Sequence, residues 1–191
     1  MKRNKKGKLF IISGPSGVGK GTICQELLKD ESLNLIYSIS MTTRKKREKE
    51  IDGINYFFVS PEKFAKAIEN NELIEYAEFV GNYYGTPKNY CEKKIGEGKN
   101  VLLEIEVQGA NIVLDKLPNA ISIFLTPPSL EELEKRIIKR GTEKKELIEK
   151  RLDKARMELN LKNKYKYCVE NNGLEETINE CKKIILEEIR K

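Results

Sequence analysis

Lys20 closes a run of three glycines, Gly14, Gly17 and Gly19. Backbone N–H groups in a glycine-rich turn converge on phosphate oxygens, and a helix N-terminus behind them adds the positive end of its dipole. The residues before the turn, LFII at 9–12, read as a buried strand, and the ICQELLKD that follows Thr22 suits a helix. Strand, loop and helix in that order predict a polyphosphate cradle at Gly14, Pro15, Ser16, Gly17, Val18, Gly19, Lys20, Gly21 and Thr22, with Lys20 reaching the terminal phosphates of a nucleotide. The usual pattern places Ser or Thr directly after the lysine. Here Gly21 stands there, and the hydroxyl comes one place later at Thr22, the remaining candidate ligand for Mg²⁺, directly or through water. The competing reading is a glycine-rich hairpin with an incidental lysine.

A phosphate loop specifies no acceptor, so other polar residues must be weighed. Arg44 and Arg47 lie three apart after a strand-like run, and guanidinium suits bidentate grip on phosphate. Lys45, Lys46, Glu48, Lys49 and Glu50 surround them, so a solvated charged loop is the plain alternative. Glu75 sits inside the apolar run LIEYAEF and either alternates out to solvent or faces a pocket. A carboxylate accepts the N1–H and 2-amino pair of guanine, which adenine cannot offer. Glu104 and Glu106, two apart in LLEIEV, are expected on one face of a buried strand near its end. Burying carboxylates without partners is costly, so they should meet a ligand, an arginine or a hydrated Mg²⁺. Arg136, Arg140 and Arg151 are spaced along helical segments, where phosphoryl transfer would use mobile positive charge.

The elements that must position these groups follow from the apolar pattern. Residues 33–40, 54–60, 73–86, 100–107, 120–126 and 165–171 read as strands, with Gly81-Asn82 marking a turn. Pro61 opens a helix with apolar Phe64, Ala65 and Ile68. The charged stretch 130–159 reads as two helices hinged at Gly141-Thr142 and projecting from the body. Ile178, Cys181, Ile185 and Ile189 mark a closing amphipathic helix. Alternating strands and helices give an α/β sheet, mostly parallel, with ligands beyond the carboxyl ends of its strands.

Bulk properties narrow the field. The 191 residues suffice for one core, and no apolar run approaches a membrane span. Four scattered cysteines without a C-x-x-C pair point to reduced, buried thiols, and a cytoplasmic location is expected. With no histidine, chemistry rests on Lys, Arg, carboxylates and hydroxyls. The net charge of +6 suits polyphosphate handling, and nucleic-acid binding is a minority alternative.

Taken in order, SGPSGVGKGT, SISMTTRKKRE, DGINYFF, EYAEFVGNYYGT, LEIEVQGA and FLTPPSLEELEKRIIKRGTE resemble guanylate kinase over nearly the whole chain. The resemblance implies a P-loop three-layer fold with a five-stranded, mostly parallel sheet. The core would comprise residues 1–39, 87–128 and 160–191, the GMP-binding insertion 40–86 and the helical lid 129–159. It implies phosphorylation of GMP, and of dGMP, by ATP with Mg²⁺, in a monomer or homodimer that uses neither membrane nor nucleic acid. By resemblance, Ser40, Arg44, Arg47, Tyr56 and Tyr84 hold the GMP phosphate, and Glu75, Thr86 and Glu104 the guanine, with Glu106 beside them. Residues 14–22 hold the ATP phosphates, Arg136, Arg140 and Arg151 close from the lid, and Asn171 and Asn172 touch the adenine. Gly21, the two glutamates at 104 and 106, and the ending Glu170-Asn171-Asn172 depart from the commoner family residues. A noncatalytic guanylate-kinase-like interaction module and a P-loop kinase for another phosphorylated acceptor are the alternatives.

Overall fold

A computed structural model describes residues 5–79, 81–139 and 145–191. Five parallel strands form the main sheet in the order β2-β7-β1-β8-β9. They are β1 (Leu9–Ser13), β2 (Leu35–Tyr37), β7 (Asn100–Glu104), β8 (Ile121–Thr126) and β9 (Tyr167–Glu170). β1 and β8 are buried along their whole length, as expected of central strands covered on both faces.

Side-chain alternation divides the core into two layers. Phe10, Ile12, Leu102, Ile123 and Leu125 pack with Ile23 and Leu27 of α1 (Lys20–Leu28) and Ile185 of α7 (Leu174–Arg190). On the other face, Leu9, Ile11, Val101, Leu103 and Phe124 meet Cys91 of α3 (Lys88–Gly96) and Val107, Ala110 and Val113 of α4 (Val107–Lys116). The helix–sheet–helix layering is the expected α/β arrangement.

A second, mixed sheet carries β3 (Met41–Thr42), β4 (Phe57–Phe58), β5 (Leu73–Phe79) and β6 (Asn82–Pro87) in the order β4-β3-β6-β5. β5 and β6 pair antiparallel, and Gly81 at φ 69° turns the chain between them, as the Gly-Asn pair predicts. Pro61 does start α2 (Pro61–Glu69), and the Ser60 side chain caps it by accepting from Lys63 N. Phe64 and Ala67 of α2, with Ile68, then close a small core against Leu73, whereas Ala65, expected to share the apolar face of Phe64 and Ile68, is exposed.

Several boundaries differ from expectation. The strand expected at 33–40 is only residues 35–37, because Leu33 ends a 3₁₀ turn capped by Asp30 and Asn34 turns left-handed. Of 54–60 only Phe57–Phe58 is strand, and of 165–171 only Tyr167–Glu170. The strand expected to run to Val107 stops at Glu104, and Val107 already begins α4. The charged stretch contains α5 (Leu130–Lys139) and α6 (Lys145–Leu159), while the expected break at Gly141-Thr142 and Arg140 lie outside the described residues. Within the charged stretch, α5 buries Leu133 and Ile137 against Leu152 and Ala155 of α6. Among the described residues no helix is long and apolar enough to cross a membrane.

Candidate active site

The residues expected on the donor side lie where β1 turns into α1. Gly14 has φ 146°, and a Cβ there would sit 2.4 Å from the Leu125 carbonyl oxygen, so only glycine lets the loop hug β8. Gly19, at φ 103°, precedes the first helical residue and supplies no side-chain cap. The first-turn N–H groups of α1 therefore remain available to an anion. Lys20 curls back so that Nζ donates to the carbonyls of Gly14 at 2.6 Å and Pro15 at 3.1 Å. Burial lowers the Lys20 pKa, and Glu104, Glu106 and Glu158 around it oppose that shift.

Gly17, Gly19, Thr22, Arg136, Asn172 and Gly173 line an open cleft beside this loop. The root of α5 covers the loop directly, since a Cβ on Gly17 would fall 3.0 Å from Ile137 Cγ1. Arg136 is fixed by Glu132 at 3.2 Å and by the Asn171 carbonyl, also at 3.2 Å. Arg151 is half-buried on α6. Asn171 and Asn172 both reach the cleft, but their side chains are already engaged. Asn171 Nδ2 donates to the Val18 carbonyl at 2.7 Å, and Asn172 Nδ2 to Glu170 Oε1, also at 2.7 Å.

The residues expected on the acceptor side lie between the two sheets. Ser40, Tyr56, Thr86 and Glu104 line one cleft with Tyr37 and Ser38. Beside it, the Arg44 guanidinium grips Glu50 with both terminal nitrogens, at 2.6 and 3.0 Å, and lies over the rings of Tyr56 and Phe58. Glu50, then Tyr84, raise the Arg44 pKa, and the same ion pair holds Glu50 down at about 2. Tyr84 packs edge-on to Tyr56 at 6.0 Å between ring centres. Four of the five expected phosphate residues thus gather in one region. Arg47 is tied in only by its backbone N–H, which donates to Glu50 Oε2 at 2.8 Å, and its side chain is exposed.

Glu75 faces inward rather than alternating out to solvent. It is 6% exposed, and Thr86 Oγ1 donates to its Oε1 at 2.6 Å across the β5–β6 ladder. The other oxygen lies against α4, 3.1 Å from where a Gly109 Cβ would stand. Burial raises the Glu75 pKa, with the Thr86 hydroxyl and then Lys116 opposing the shift.

Glu104 and Glu106 do reach the end of β7, but not on one strand face. The chain leaves the strand after Glu104, so Glu106 instead precedes α4, exposed, with its carboxylate on Lys154 of α6 at 2.7 Å. Glu104 accepts from the Tyr37 hydroxyl at 2.7 Å and faces α1, its Oε1 3.4 Å from where a Gly21 Cβ would be. Tyr37, Glu50 and Glu158 were not singled out from sequence. Glu50 and Glu158 sit in charge-rich stretches that look solvated, and nothing local in LIYS marks Tyr37 as a partner of Glu104, 67 residues away.

The glycine turn and the second sheet fall within one match to known proteins. The family profile described as guanylate kinase covers residues 6–188. A guanylate kinase of Mesoplasma florum is 58% identical over 183 residues, 96% of this chain and 62% of that protein. One from Bacillus cereus strain ZK / E33L is 52% identical over 186 residues, 97% of this chain and 91% of its own length. The crystal structure of guanylate kinase from Anaplasma phagocytophilum superposes with a TM-score of 0.74 at 34% identity, covering 98% of this chain and 88% of that one. The chain spans about three fifths of the length of the Mesoplasma and Mycoplasma relatives it matches, at 62%, 57% and 57%. Because the match runs unbroken through both the phosphate loop and the inserted sheet, the chain belongs to the guanylate kinase family.

Proposed function

We propose that the protein transfers the γ-phosphoryl group of ATP to GMP, and to dGMP, giving ADP and the guanosine diphosphate. The observation that carries this is the Glu75–Thr86 pair. A carboxylate at 6% exposure that accepts from Thr86 is a fixed, inward-facing acceptor with lone pairs left for further donors. The N1–H and 2-amino edge of guanine supplies two.

In this reading the first turn of α1 and Lys20 hold the donor phosphates, Lys20 exchanging its loop carbonyls for phosphate oxygens. Ser40, Arg44, Arg47, Tyr56 and Tyr84 hold the acceptor phosphate, and Glu75, Thr86 and Glu104 read the base, with Glu106 at their edge. The acceptor oxygen is already anionic, so the reaction needs positioning and charge neutralisation rather than a general base. Arg136 and Arg151, with Arg140 beyond the described residues, bring positive charge from the lid. Residues 40–86 and 129–159 then act as arms closing over the core of residues 1–39, 87–128 and 160–191, which excludes water as a competing acceptor.

Mg²⁺ supplies further charge neutralisation on the donor phosphates when bound. The residues fit an ion held mainly by phosphate and water. No cluster of three potential ligands occurs among the described residues, and the space a side chain at position 21 would fill is open toward the Glu104 carboxylate. Thr22 and Glu104 would meet the hydrated ion. Cys24, Cys91 and Cys181 are buried free thiols and Cys168, expected buried, is an exposed one; free thiols favour the cytoplasm, where the enzyme would act as a monomer or homodimer.

The test is ADP formation from ATP and Mg²⁺ with GMP, dGMP, AMP, CMP and UMP in turn. Turnover confined to the two guanine nucleotides is expected. Turnover with AMP but not GMP would overturn the proposal, and none with any acceptor would favour a noncatalytic module.

A further inference from the structure

The side chain of Asn171 is spent inside the protein. Asn171 follows β9 and continues its pairing, with its backbone N–H on the Thr126 carbonyl at 2.8 Å. It is 7% exposed, and Nδ2 donates to the carbonyl of Val18, at the crest of the phosphate loop, at 2.7 Å. Thr177, 1% exposed on the first turn of α7, donates to Asn171 Oδ1 at 3.0 Å, sharing its proton with the Gly173 carbonyl at 2.7 Å. The fit against the loop is close, because a Cβ on Gly19 would lie 2.8 Å from Asn171 Nδ2. The Asn171 backbone carbonyl accepts from Arg136 of α5 at 3.2 Å.

We propose that Asn171 is a positioning residue for the phosphate loop rather than a reader of the donor base. The loop's anion-binding N–H groups flank Val18, and a carbonyl at its crest that is not held would let the peptide planes rotate and scatter those donors. Asn171 ties that carbonyl to the end of β9, and Thr177 fixes which way the carboxamide points. The same residue anchors Arg136, so the loop and the root of the lid share one support. With one Nδ2 hydrogen on the loop carbonyl and Oδ1 on Thr177, and with the residue 7% exposed, the carboxamide is oriented by the protein rather than by a nucleobase.

The inference rests on the donor-site reading, and its test keeps the two apart. Asn171→Leu matches the shape of Asn, adds no charge and removes both hydrogen bonds. Titration calorimetry with ATP, GTP and inorganic tripolyphosphate, each alone, reads the loop with and without a base. All three are expected to weaken by the same factor, about tenfold, while GMP affinity is unchanged. In steady-state assays the KM for ATP should rise while the KM for GMP is unchanged. Thr177→Val, which keeps the helix and removes only the orienting hydroxyl, should give the same base-independent pattern at smaller size, and it covers the case in which the Leu variant does not fold. A loss confined to ATP would make Asn171 a base reader and overturn the proposal, as would unchanged affinity for all three ligands in folded variants. Failure of the unsubstituted protein to bind ATP or tripolyphosphate would instead remove the donor-site reading.

Discussion

Replacing Glu75 by Gln separates the guanine reader from the scaffold. Glutamine keeps the shape and can still accept from Thr86, whose hydroxyl sits 2.6 Å from Oε1. At the other position it presents an NH₂ group where the guanine edge requires an acceptor. Losing one charged hydrogen bond and leaving donors facing one another costs about 2–3 kcal/mol. That converts to about 30- to 150-fold in kcat/KM for GMP. The fold responds in the opposite direction. Burial raises the Glu75 pKa, so the folded state favours the protonated form, and the stability linked to it is lost as pH rises through that raised pKa. Removing the ionisable group therefore leaves the Tm of the ligand-free protein at neutral pH equal or higher. The assay is steady-state ADP formation with GMP varied at fixed ATP, alongside AMP and a thermal melt. A fall in GMP efficiency with Tm retained is expected. An unchanged ratio of GMP to AMP efficiency in a folded variant would refute the assignment of Glu75 to the base.

Lys20→Ala and Arg44→Ala should each lower kcat/KM by at least about 10²-fold, with circular dichroism unchanged. Arg44→Ala has a second signature in acid. Glu50 is held at about 2 by Arg44, so its contribution to stability is present above its ordinary value of 4.5 and lost as pH falls toward 2. Denaturant melts across that window should show a steeper acid loss in the parent than in the variant. Guanosine, which has no phosphate to titrate, should bind more weakly as pH falls toward the raised pKa of Glu75, and Glu75→Gln should abolish the trend. Ile137→Ala opens a cavity between α5, α6 and Gly17, and should cost about 2–5 kcal/mol in unfolding experiments while raising the KM for ATP.

Burial was the legible part of this chain. The runs at 9–12, 100–104 and 121–126 declared their strands because both faces are covered, and Pro61 and Gly81 punctuated the insertion by backbone chemistry alone. Glycines ahead of Lys20 marked the turn between β1 and α1 for the same reason. Direction was less legible. The alternation in LLEIEV carries no mark of where the strand gives way to helix, so Glu104 and Glu106 appeared as a pair although one faces Gly21 and the other Lys154. Charge pairing across distance was not legible at all. Glu50 looked like one more solvated residue beside Arg47, yet it accepts both terminal nitrogens of Arg44. Asn171 shows the same limit, since its partner Val18 is 153 residues away.

The central claim is that one γ-phosphoryl group passes directly between two nucleotides chosen by these two half-sites. The most direct measurement supplies γ-³²P-labelled ATP with Mg²⁺ and equimolar GMP and AMP in one reaction, and separates the products. Label in GDP, with none in ADP and little in free phosphate, is the predicted result. Label in ADP or mainly in inorganic phosphate would contradict the account.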